Sequence, residues 1–426
     1  MSSFENELQR RLEAIRRAGL YRQLRRIDSA QGTSINYAGR EILNFSSNDY
    51  LGLANEPAVK AAAAAAVERF GAGAGASRLV CGSLQPYHEL EECLAAFKGT
   101  EAALSFSTGY GAAIGTICAL LGKGEVIILD KLIHASVIDA ARLSGATIRV
   151  FAHNDLNELE AILKIETAQP RSTGNQSLPL IVTESVFSMD GDMARLREIV
   201  ELKERYGAWL MVDEAHATGL YGKQRRGLAE QFEVNDRIEV QFGTLGKALG
   251  ASGGYICGSR ALIDYLLNRA RTFIFSTAPV PAAAAAATAA IRFVQSHEGE
   301  KRRQSLWQNV AQFSSEIVSP QPTAFSSAII PIHIGDETQA VQTASHLLVE
   351  GFFIPAIRYP AVARGQARLR ITVTAQHTAS QITALAKALA RVGCQVSGRG
   401  GKRAQSPDLA PRPSSLAPRY ASVGRA

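Results

Sequence analysis

The chain has 426 residues, a length typical of two or three domains, and its 46% hydrophobic and 20% charged residues exclude a wholly disordered chain. The net charge of +7 comes mainly from residues 397–426, which hold six basic residues and one acidic residue. This uneven charge is weak evidence for nucleic-acid binding, and we predict no nucleic-acid partner. No apolar run suggests a membrane span, and the charged residues 1–26 do not resemble a secretory signal.

The cysteines are widely spaced and include no C-x-x-C pair. They are Cys81, Cys93, Cys118, Cys257 and Cys394. This spacing argues against a disulfide framework and against a structural zinc site. We therefore expect reduced thiols, no bound metal and a cytoplasmic location.

The first quarter of the chain predicts a charged amphipathic helix over residues 4–26, a strand at 42–45 and a polar turn at 46–52. An alanine-rich helix follows at 60–70. The glycine-rich loop GAGAGAS at 71–77 comes after this helix, whereas a dinucleotide-binding loop would follow a strand. We interpret the loop as a flexible cover over a substrate, with a plain linker as the alternative.

From about residue 86, helical patterns alternate with short apolar segments that predict strands. The predicted strands are 103–106, 126–129, 147–151, 180–184, 209–212, 240–242 and 254–257. Continuous apolar strands between helices indicate an α/β fold with a mainly parallel sheet that is covered on both faces. Ligands bind such sheets beyond the carboxyl ends of the strands, so polar residues at those ends are candidates for function.

The C-terminal part shows a different pattern. A long helix is predicted over 282–307, followed by short strands at 329–334 and 369–373 and by helices near 338–350 and 379–392. This order is typical of a smaller α+β domain. The Gly-, Ser-, Pro- and Arg-rich residues 397–426 hold too little apolar surface to fold, so we predict a disordered tail.

Two of the predicted strands are followed by residues whose side chains could take part in catalysis. The strand at 209–212 leads into Asp213, with His216 three residues later, and the next predicted strand leads into the glycine-flanked Lys247. A lysine removed from water can become a nucleophile, and an acid can pair with a cationic ring nitrogen. These are the protein groups that pyridoxal phosphate (PLP) needs. A capping Asp, a structural His and a surface Lys remain the alternatives.

A series of longer motifs resembles the α-oxoamine synthase family of PLP-dependent enzymes, over roughly residues 4–395. The motifs are NFSSNDYLG at 44–52, SRLVCG at 77–82, HAS at 134–136, TESVFSMDGD at 183–192, VDEAH at 212–216, TLGK at 244–247 and ARLRIT at 367–372. The resemblance implies a PLP-dependent transferase of fold type I, with a mainly parallel sheet in a large domain and a smaller C-terminal α+β domain. It also implies a homodimer.

The resemblance implies three catalytic residues. Lys247 would bond covalently to the aldehyde of PLP and later move the α-proton of the substrate. Asp213 would keep the pyridine nitrogen protonated. His134 would stack on the cofactor ring and contact the substrate, whereas a helix-capping histidine is the alternative reading of this residue.

The resemblance also implies the residues around the rest of the cofactor. His216 and Ser188 would hydrogen-bond its phenolic oxygen. Thr244 would bind the phosphate together with the backbone amides of Gly109 and Tyr110, which lie at a predicted helix start where an anion is favoured.

Four further residues would bind the substrates. Asn48 and Glu184 would line the site, Arg358 would pair with the amino-acid carboxylate, and Arg22 would lie near the acyl substrate. A planar guanidinium suits a carboxylate because it can donate two parallel hydrogen bonds.

Within the family, FAHND at 151–155 and AIR at 356–358 favour the members that condense L-alanine with pimeloyl-CoA, or pimeloyl carrier protein, to 8-amino-7-oxononanoate, CoA and CO2 in biotin synthesis. Ala113 and Ala361 replace an asparagine and a threonine of the usual pattern.

The alternative activity is a glycine C-acetyltransferase or another acyl-CoA:amino acid synthase. A non-catalytic PLP-fold protein is disfavoured by the complete set of site residues.

The predicted division of the chain follows from these elements. It comprises an N-terminal helix and arm at 1–45, a PLP-binding large domain at 46–285, a small domain at 286–396 and the tail at 397–426.

Overall fold

The computed structural model describes residues 2–168, 178–317 and 325–392. Its strands are β1 (Ser34–Tyr37), β2 (Arg40–Asn44), β3 (Ala102–Phe106), β4 (Val126–Asp130), β5 (Thr147–Phe151), β6 (Leu180–Glu184), β7 (Trp209–Asp213), β8 (Val240–Thr244), β9 (Gly254–Gly258), β10 (Ile329–Gly335), β11 (Phe352–Phe353), β12 (Ala356–Ile357) and β13 (Ala367–Thr372). Its helices are α1 (Ser3–Arg17), α2 (Pro57–Phe70), α3 (Gln85–Lys98), α4 (Gly109–Leu120), α5 (Ala135–Ser144), α6 (Leu156–Ala168), α7 (Leu196–Tyr206), α8 (Leu228–Gln231), α9 (Arg260–Arg269), α10 (Arg271–Ile274), α11 (Pro281–Gln295), α12 (His297–Glu316), α13 (Glu337–Val349) and α14 (Ala379–Arg391).

A seven-stranded sheet forms the centre of the molecule, in the order β3-β9-β8-β7-β6-β4-β5. Strand β9 runs antiparallel to both of its neighbours, and the remaining pairs are parallel. All residues of β3, β4, β6 and β9 are buried. The predicted α/β fold with a mainly parallel, covered sheet is confirmed, and each of the seven predicted strands is present.

Two apolar clusters cover the two faces of this sheet. Leu210 and Val212 belong to one cluster, whereas Met211 between them belongs to the other. Strands β4 and β6 divide their residues in the same alternating way because successive side chains of a strand point to opposite faces. Burial on both sides leaves the ends of the strands as the places where polar side chains meet solvent or a ligand.

The two ends of the chain meet in smaller sheets. Strand β13 lies between β10 and β12 in an antiparallel sheet, and β11 pairs in parallel with β2 of the N-terminal part. Sequence patterns found β2, β10 and β13 but missed β1, β11 and β12. The two-residue strands β11 and β12 are too short to show a hydrophobic period.

Two helix predictions were wrong. The predicted helix over 4–26 ends at Arg17, and Gly19 then adopts a φ of 68°, which ends the helical path. The predicted helix over 282–307 is two helices, α11 and α12, that meet at Ser296. The Ser296 backbone is extended, and its hydroxyl accepts a hydrogen bond from the Gly299 N–H. The helical sequence pattern continues across Ser296 without a change, so periodicity alone does not show where α11 ends and α12 begins.

Gly299 explains why this break needs a residue without a side chain. A Cβ at this position would lie 2.2 Å from the carbonyl oxygen of Phe293 and 2.5 Å from that of Val294. We therefore expect Gly299→Ala to lower the free energy of unfolding by about 1–3 kcal/mol. Urea denaturation measures this, with Gly73→Ala as control because nothing lies within 4 Å of a Cβ there. Equal stability of both variants would contradict the packing argument.

Some predictions fall partly outside the described residues. The tail at 397–426 and Cys394 lie beyond them, while Cys81, Cys93, Cys118 and Cys257 are free thiols. A membrane-crossing helix would have to be longer and more apolar than any helix in the described ranges.

Candidate active site

The candidate site lies at the carboxyl edge of β6, β7 and β8. Glu184 and Asp213 are the last residues of β6 and β7 and are direct partners in the strand register. Thr244 ends β8, and Lys247 follows three residues later. Because parallel strands end at a common edge, the fold brings together residues that are about 30 positions apart in the sequence.

A series of hydrogen bonds extends from Lys247 into the protein interior. Its Nζ lies 2.7 Å from Nε2 of His216, and Nδ1 of His216 lies 2.6 Å from the Tyr50 hydroxyl. The Tyr50 hydroxyl in turn donates to Oδ1 of Asn48 at 3.4 Å. These contacts connect Lys247, His216 and Asn48, which the sequence predicted for one site.

Burial determines the protonation states of Lys247 and His216. Loss of water lowers the pKa of Lys247 to about 8, against the opposing charges of Asp213 and Glu184. Burial, followed by the charge of Lys247, lowers the pKa of His216 well below its usual value. His216 is therefore neutral at pH 7, and part of the Lys247 population is an uncharged amine.

The two carboxyl groups at the strand ends are also perturbed. Burial raises the pKa of Asp213 to about 6, although the charge of Lys247 and the Ala215 N–H favour the carboxylate. Burial and the charge of Asp213 raise the pKa of Glu184 well above its ordinary value. Oε2 of Glu184 accepts the Ser188 N–H at 3.1 Å, whereas its buried Oε1 finds no partner among the described residues. The edge thus holds one unsatisfied carboxyl oxygen next to Asp213.

A second group of residues could hold an anion. Gly109 and Tyr110 are the first residues of α4, where backbone N–H groups have no partner within the helix. A Cβ on Gly109 would lie 3.6 Å from that of Thr244, so the start of α4 adjoins the end of β8. The Thr244 hydroxyl donates to the Gly253 carbonyl at 2.9 Å and accepts from the Gly246 N–H at 3.2 Å.

His134 caps helix α5. Its Nδ1 accepts the Ser136 N–H at 3.2 Å and lies 2.8 Å from the Ser136 hydroxyl. Burial lowers the pKa of His134, and the charge of Lys247 lowers it further. His134 is therefore a helix-capping histidine, as the alternative reading predicted. Because the charge of Lys247 also acts on the ring, the cap holds His134 near the candidate site.

Arg22 and Arg358 form a separate pair of contacts. Arg358 donates to the Tyr21 carbonyl at 3.0 Å, and Arg22 donates to the Tyr359 carbonyl at 3.5 Å. The segment after α1 thus lies against residues 358–359. Nε of Arg358 is buried without a partner in the described part of the chain.

Sequence reasoning missed two residues of the site. Tyr50 completes the chain to His216, and Arg370 on β13 donates to the Ser188 carbonyl at 2.6 Å. The charge of buried Arg370 lowers the pKa of both Lys247 and His216. Both residues lie in motifs already noted, NFSSNDYLG and ARLRIT, but a single sequence does not show which residue of a motif faces the site.

This set of groups fits PLP. Lys247 would offer an amine to its aldehyde, Asp213 a buried carboxylate to its ring nitrogen, and His216 a neutral hydrogen-bonding group to its phenolic oxygen. Thr244 and the start of α4 would offer a hydroxyl and N–H groups to its phosphate. The orphaned Oε1 of Glu184 leaves a hydrogen-bonding position at the same edge.

Comparison with known proteins identifies the family. The family model described as aminotransferase class I and II matches residues 40–389. The chain belongs to the aminotransferase class I and II family. This match, together with the PLP-bound structural relative described next, confirms the predicted fold type and the resemblance to a family of PLP enzymes.

Individual members of this family are similar over most of their length. The chain is 47% identical over 384 residues to the 8-amino-7-oxononanoate synthase of Geobacter sulfurreducens, which covers 90% of this chain and 96% of that protein. The synthase of the same name from Geotalea daltonii is 45% identical over 395 residues, covering 92% and 98%. A solved serine palmitoyltransferase from S. paucimobilis with a bound PLP–myriocin aldimine is 29% identical, with a TM-score of 0.83 and coverage of 92% and 100%.

Proposed function

We propose that this enzyme condenses L-alanine with pimeloyl-CoA, or pimeloyl carrier protein, to give 8-amino-7-oxononanoate, CoA and CO2, with PLP as its cofactor. The observation that carries the proposal is the Lys247 amine, held 2.7 Å from His216 at the edge where Asp213 ends β7. The choice of substrates is supported by the relatives that bear the name of this synthase.

The residues of the chain have distinct tasks in this reaction. When bound, PLP supplies an electron sink for negative charge on the α-carbon of the amino acid. The neutral amine of Lys247 takes the α-proton, and Lys247 later returns a proton. Asp213 holds a proton at the ring nitrogen, and neutral His216 and Ser188 hydrogen-bond the phenolic oxygen. The new bond joins the α-carbon to the thioester carbonyl carbon, and CoA thiol and CO2 leave.

Two arginines are candidates for the substrate carboxylate. Arg358 keeps its predicted role because its buried Nε is unpartnered among the described residues. Arg370 is a second candidate, since its side chain is buried and its charge acts on Lys247. We propose that His134, Asn48 and Glu184 line the substrate space and that Arg22 lies near the acyl substrate.

The lowered pKa of Lys247 gives a prediction for the protein without cofactor. PLP capture requires the neutral amine, so its rate is expected to rise from about pH 7 to 9 with a midpoint of about 8. The charge of Asp213 raises the pKa of Lys247, so Asp213→Asn is expected to move the midpoint to lower pH. Stopped-flow absorbance measures both, with Lys123→Ala as control. A midpoint near that of a free lysine would contradict the desolvated amine.

The choice of substrates is tested by thiol release from the PLP-loaded enzyme. L-alanine with pimeloyl-CoA is compared with glycine plus acetyl-CoA and with serine plus palmitoyl-CoA. Thiol release only with alanine and pimeloyl-CoA is the expected result, and it would make Ala113 and Ala361 tolerated departures. Release only with glycine or serine would move the enzyme to the alternative activity while leaving the role of Lys247 intact.

A homodimer and a cytoplasmic location are further parts of this proposal. The dimer rests on the resemblance of the sequence motifs to the α-oxoamine synthase family. Sedimentation of the active enzyme as a monomer would overturn it.

A further inference from the structure

His153 lies in the FAHND motif, which the site described above does not use. Its Nδ1 lies 3.0 Å from Oδ1 of Asp130, at the end of β4, and its Nε2 lies 2.8 Å from Oδ2 of Asp192. Both ring nitrogens can donate only in the imidazolium form, so the geometry matches a cation held between two carboxylates. The two hydrogen bonds raise the pKa of His153 to about 9, although burial opposes this.

The neighbours of His153 complete this arrangement. The backbone N–H of Asn154 donates to Oδ2 of Asp130 at 3.1 Å. Its side-chain Nδ2 donates to the Met193 carbonyl at 3.0 Å and lies 3.3 Å from Nε2 of His153, farther than the carboxylate of Asp192. The ring of His153 meets Phe187 edge-on at 4.3 Å between centroids. Among the described residues, the charged groups that contact the imidazole are Asp130 on β4 and Asp192 on the loop after β6. The charge of Asp130 also acts on Glu184 at the end of β6.

Asp192 belongs to a compact loop that carries Ser188 into the site. Val186 and Met193 form a β-bridge, the Phe187 N–H donates to the Asp192 carbonyl at 2.9 Å, and the Gly191 N–H donates to the Phe187 carbonyl at 2.8 Å. These contacts close residues 185–194 into a compact loop, so a contact made by Asp192 constrains the same loop that carries Ser188.

The opposite side of this loop is held from β13. Arg368 donates to Oδ1 of Asp190 at 2.8 Å, and Arg370 donates to the Ser188 carbonyl. The loop is thus tied to β13 on one side and, through His153, to β4 on the other. Without His153, the contact of Asp192 with the β4 edge would be lost.

We propose that His153 is a positioning residue that, as an imidazolium bridging Asp130 and Asp192, holds the loop 185–194 so that Ser188 faces PLP. This inference rests on the proposed function insofar as that assigns Ser188 to the cofactor. His153 itself touches neither the cofactor nor the substrate in this scheme.

The test compares His153→Gln, Asp192→Ala and the double variant with the unchanged protein. His346→Gln is the matched control because His346 also pairs with a carboxylate, that of Glu350, but on an exposed face of α13. Hydrogen exchange of residues 185–194 is measured without cofactor. The PLP dissociation constant is then measured by fluorescence quenching, without any acyl substrate.

Both single variants are expected to speed exchange at the amides of Phe187, Ser188 and Gly191 and to weaken PLP binding by about tenfold. The double variant should bind PLP no more weakly, and exchange its loop amides no faster, than the more affected single variant, because both changes remove the same bridge. His346→Gln should change neither readout. Unchanged loop exchange and PLP affinity in His153→Gln, or additive losses in the double variant, would overturn the proposal.

A measurement on the unchanged protein guards against variants that fail to fold. Nuclear magnetic resonance titration of the His153 ring should give a pKa of about 9, and Asp192→Asn should lower it. Titration near the value of a free histidine would also overturn the bridge. None of these readouts involves the condensation, so a failure of the proposed reaction and a failure of this inference remain distinguishable.

Discussion

Replacing Lys247 with alanine is expected to lower the condensation rate by roughly 10⁴-fold or more, because the variant loses both the amine nucleophile and the group that moves the α-proton. The same change removes the covalent bond between protein and cofactor. The absorbance of that linkage, and the mass added to the protein by borohydride reduction, should both disappear. We expect the cofactor still to bind through Thr244, the start of α4 and Asp213, so its affinity is measured separately.

Lys123→Ala is the control for this variant, since Lys123 is an exposed lysine between α4 and β4. It should retain the unchanged rate and the full absorbance of the linkage. A Lys247→Ala enzyme that keeps its rate, or that still becomes labelled on reduction, would show that another residue carries the chemistry.

Replacing Asp213 with asparagine is expected to lower the rate by roughly 10²–10⁴-fold, because a neutral amide cannot stabilise a protonated ring nitrogen. The asparagine oxygen can still accept the Ala215 N–H, which Asp213 holds at 2.8 Å. The variant therefore removes a charge with little change in shape. Steady-state rates and the absorbance spectrum of the loaded enzyme measure the effect.

Asp264→Asn provides the matched control at an exposed position of helix α9. It makes the same chemical change where no ligand is expected. Asp213→Asn with unchanged kinetics would leave the ring nitrogen without its proposed partner and would require a different account of the electron sink.

The central sheet was predictable because its strands combine two strong signals. Segments such as 180–182 and 209–212 are continuous apolar runs, and an acid closely follows each of them, Glu184 and Asp213. Such runs require burial on both faces, which only a covered, mainly parallel sheet provides. The helix boundaries were less predictable, because a single glycine at position 19 and a serine cap at 296 override a periodic pattern.

The site was predictable where chemistry and position coincide. Asp213 and Lys247 follow predicted strands, so sequence alone placed them at one edge of the sheet. Tyr50 and Arg370 come from distant segments, and their approach to His216 and Ser188 depends on how the N-terminal and C-terminal parts pack. Periodicity carries no information about such contacts. The same holds for the bridge from His153, just after β5, to Asp192 in the loop after β6.

The most direct test of the proposed reaction follows the carboxyl carbon of alanine. L-alanine labelled at that carbon is incubated with the PLP-loaded enzyme and pimeloyl-CoA, and labelled CO2, free CoA and the condensed product are measured together. The proposal predicts that all three appear in equal amounts and that none appears when pimeloyl-CoA is omitted. Release of CoA without labelled CO2, or of labelled CO2 without CoA, would contradict a decarboxylative condensation.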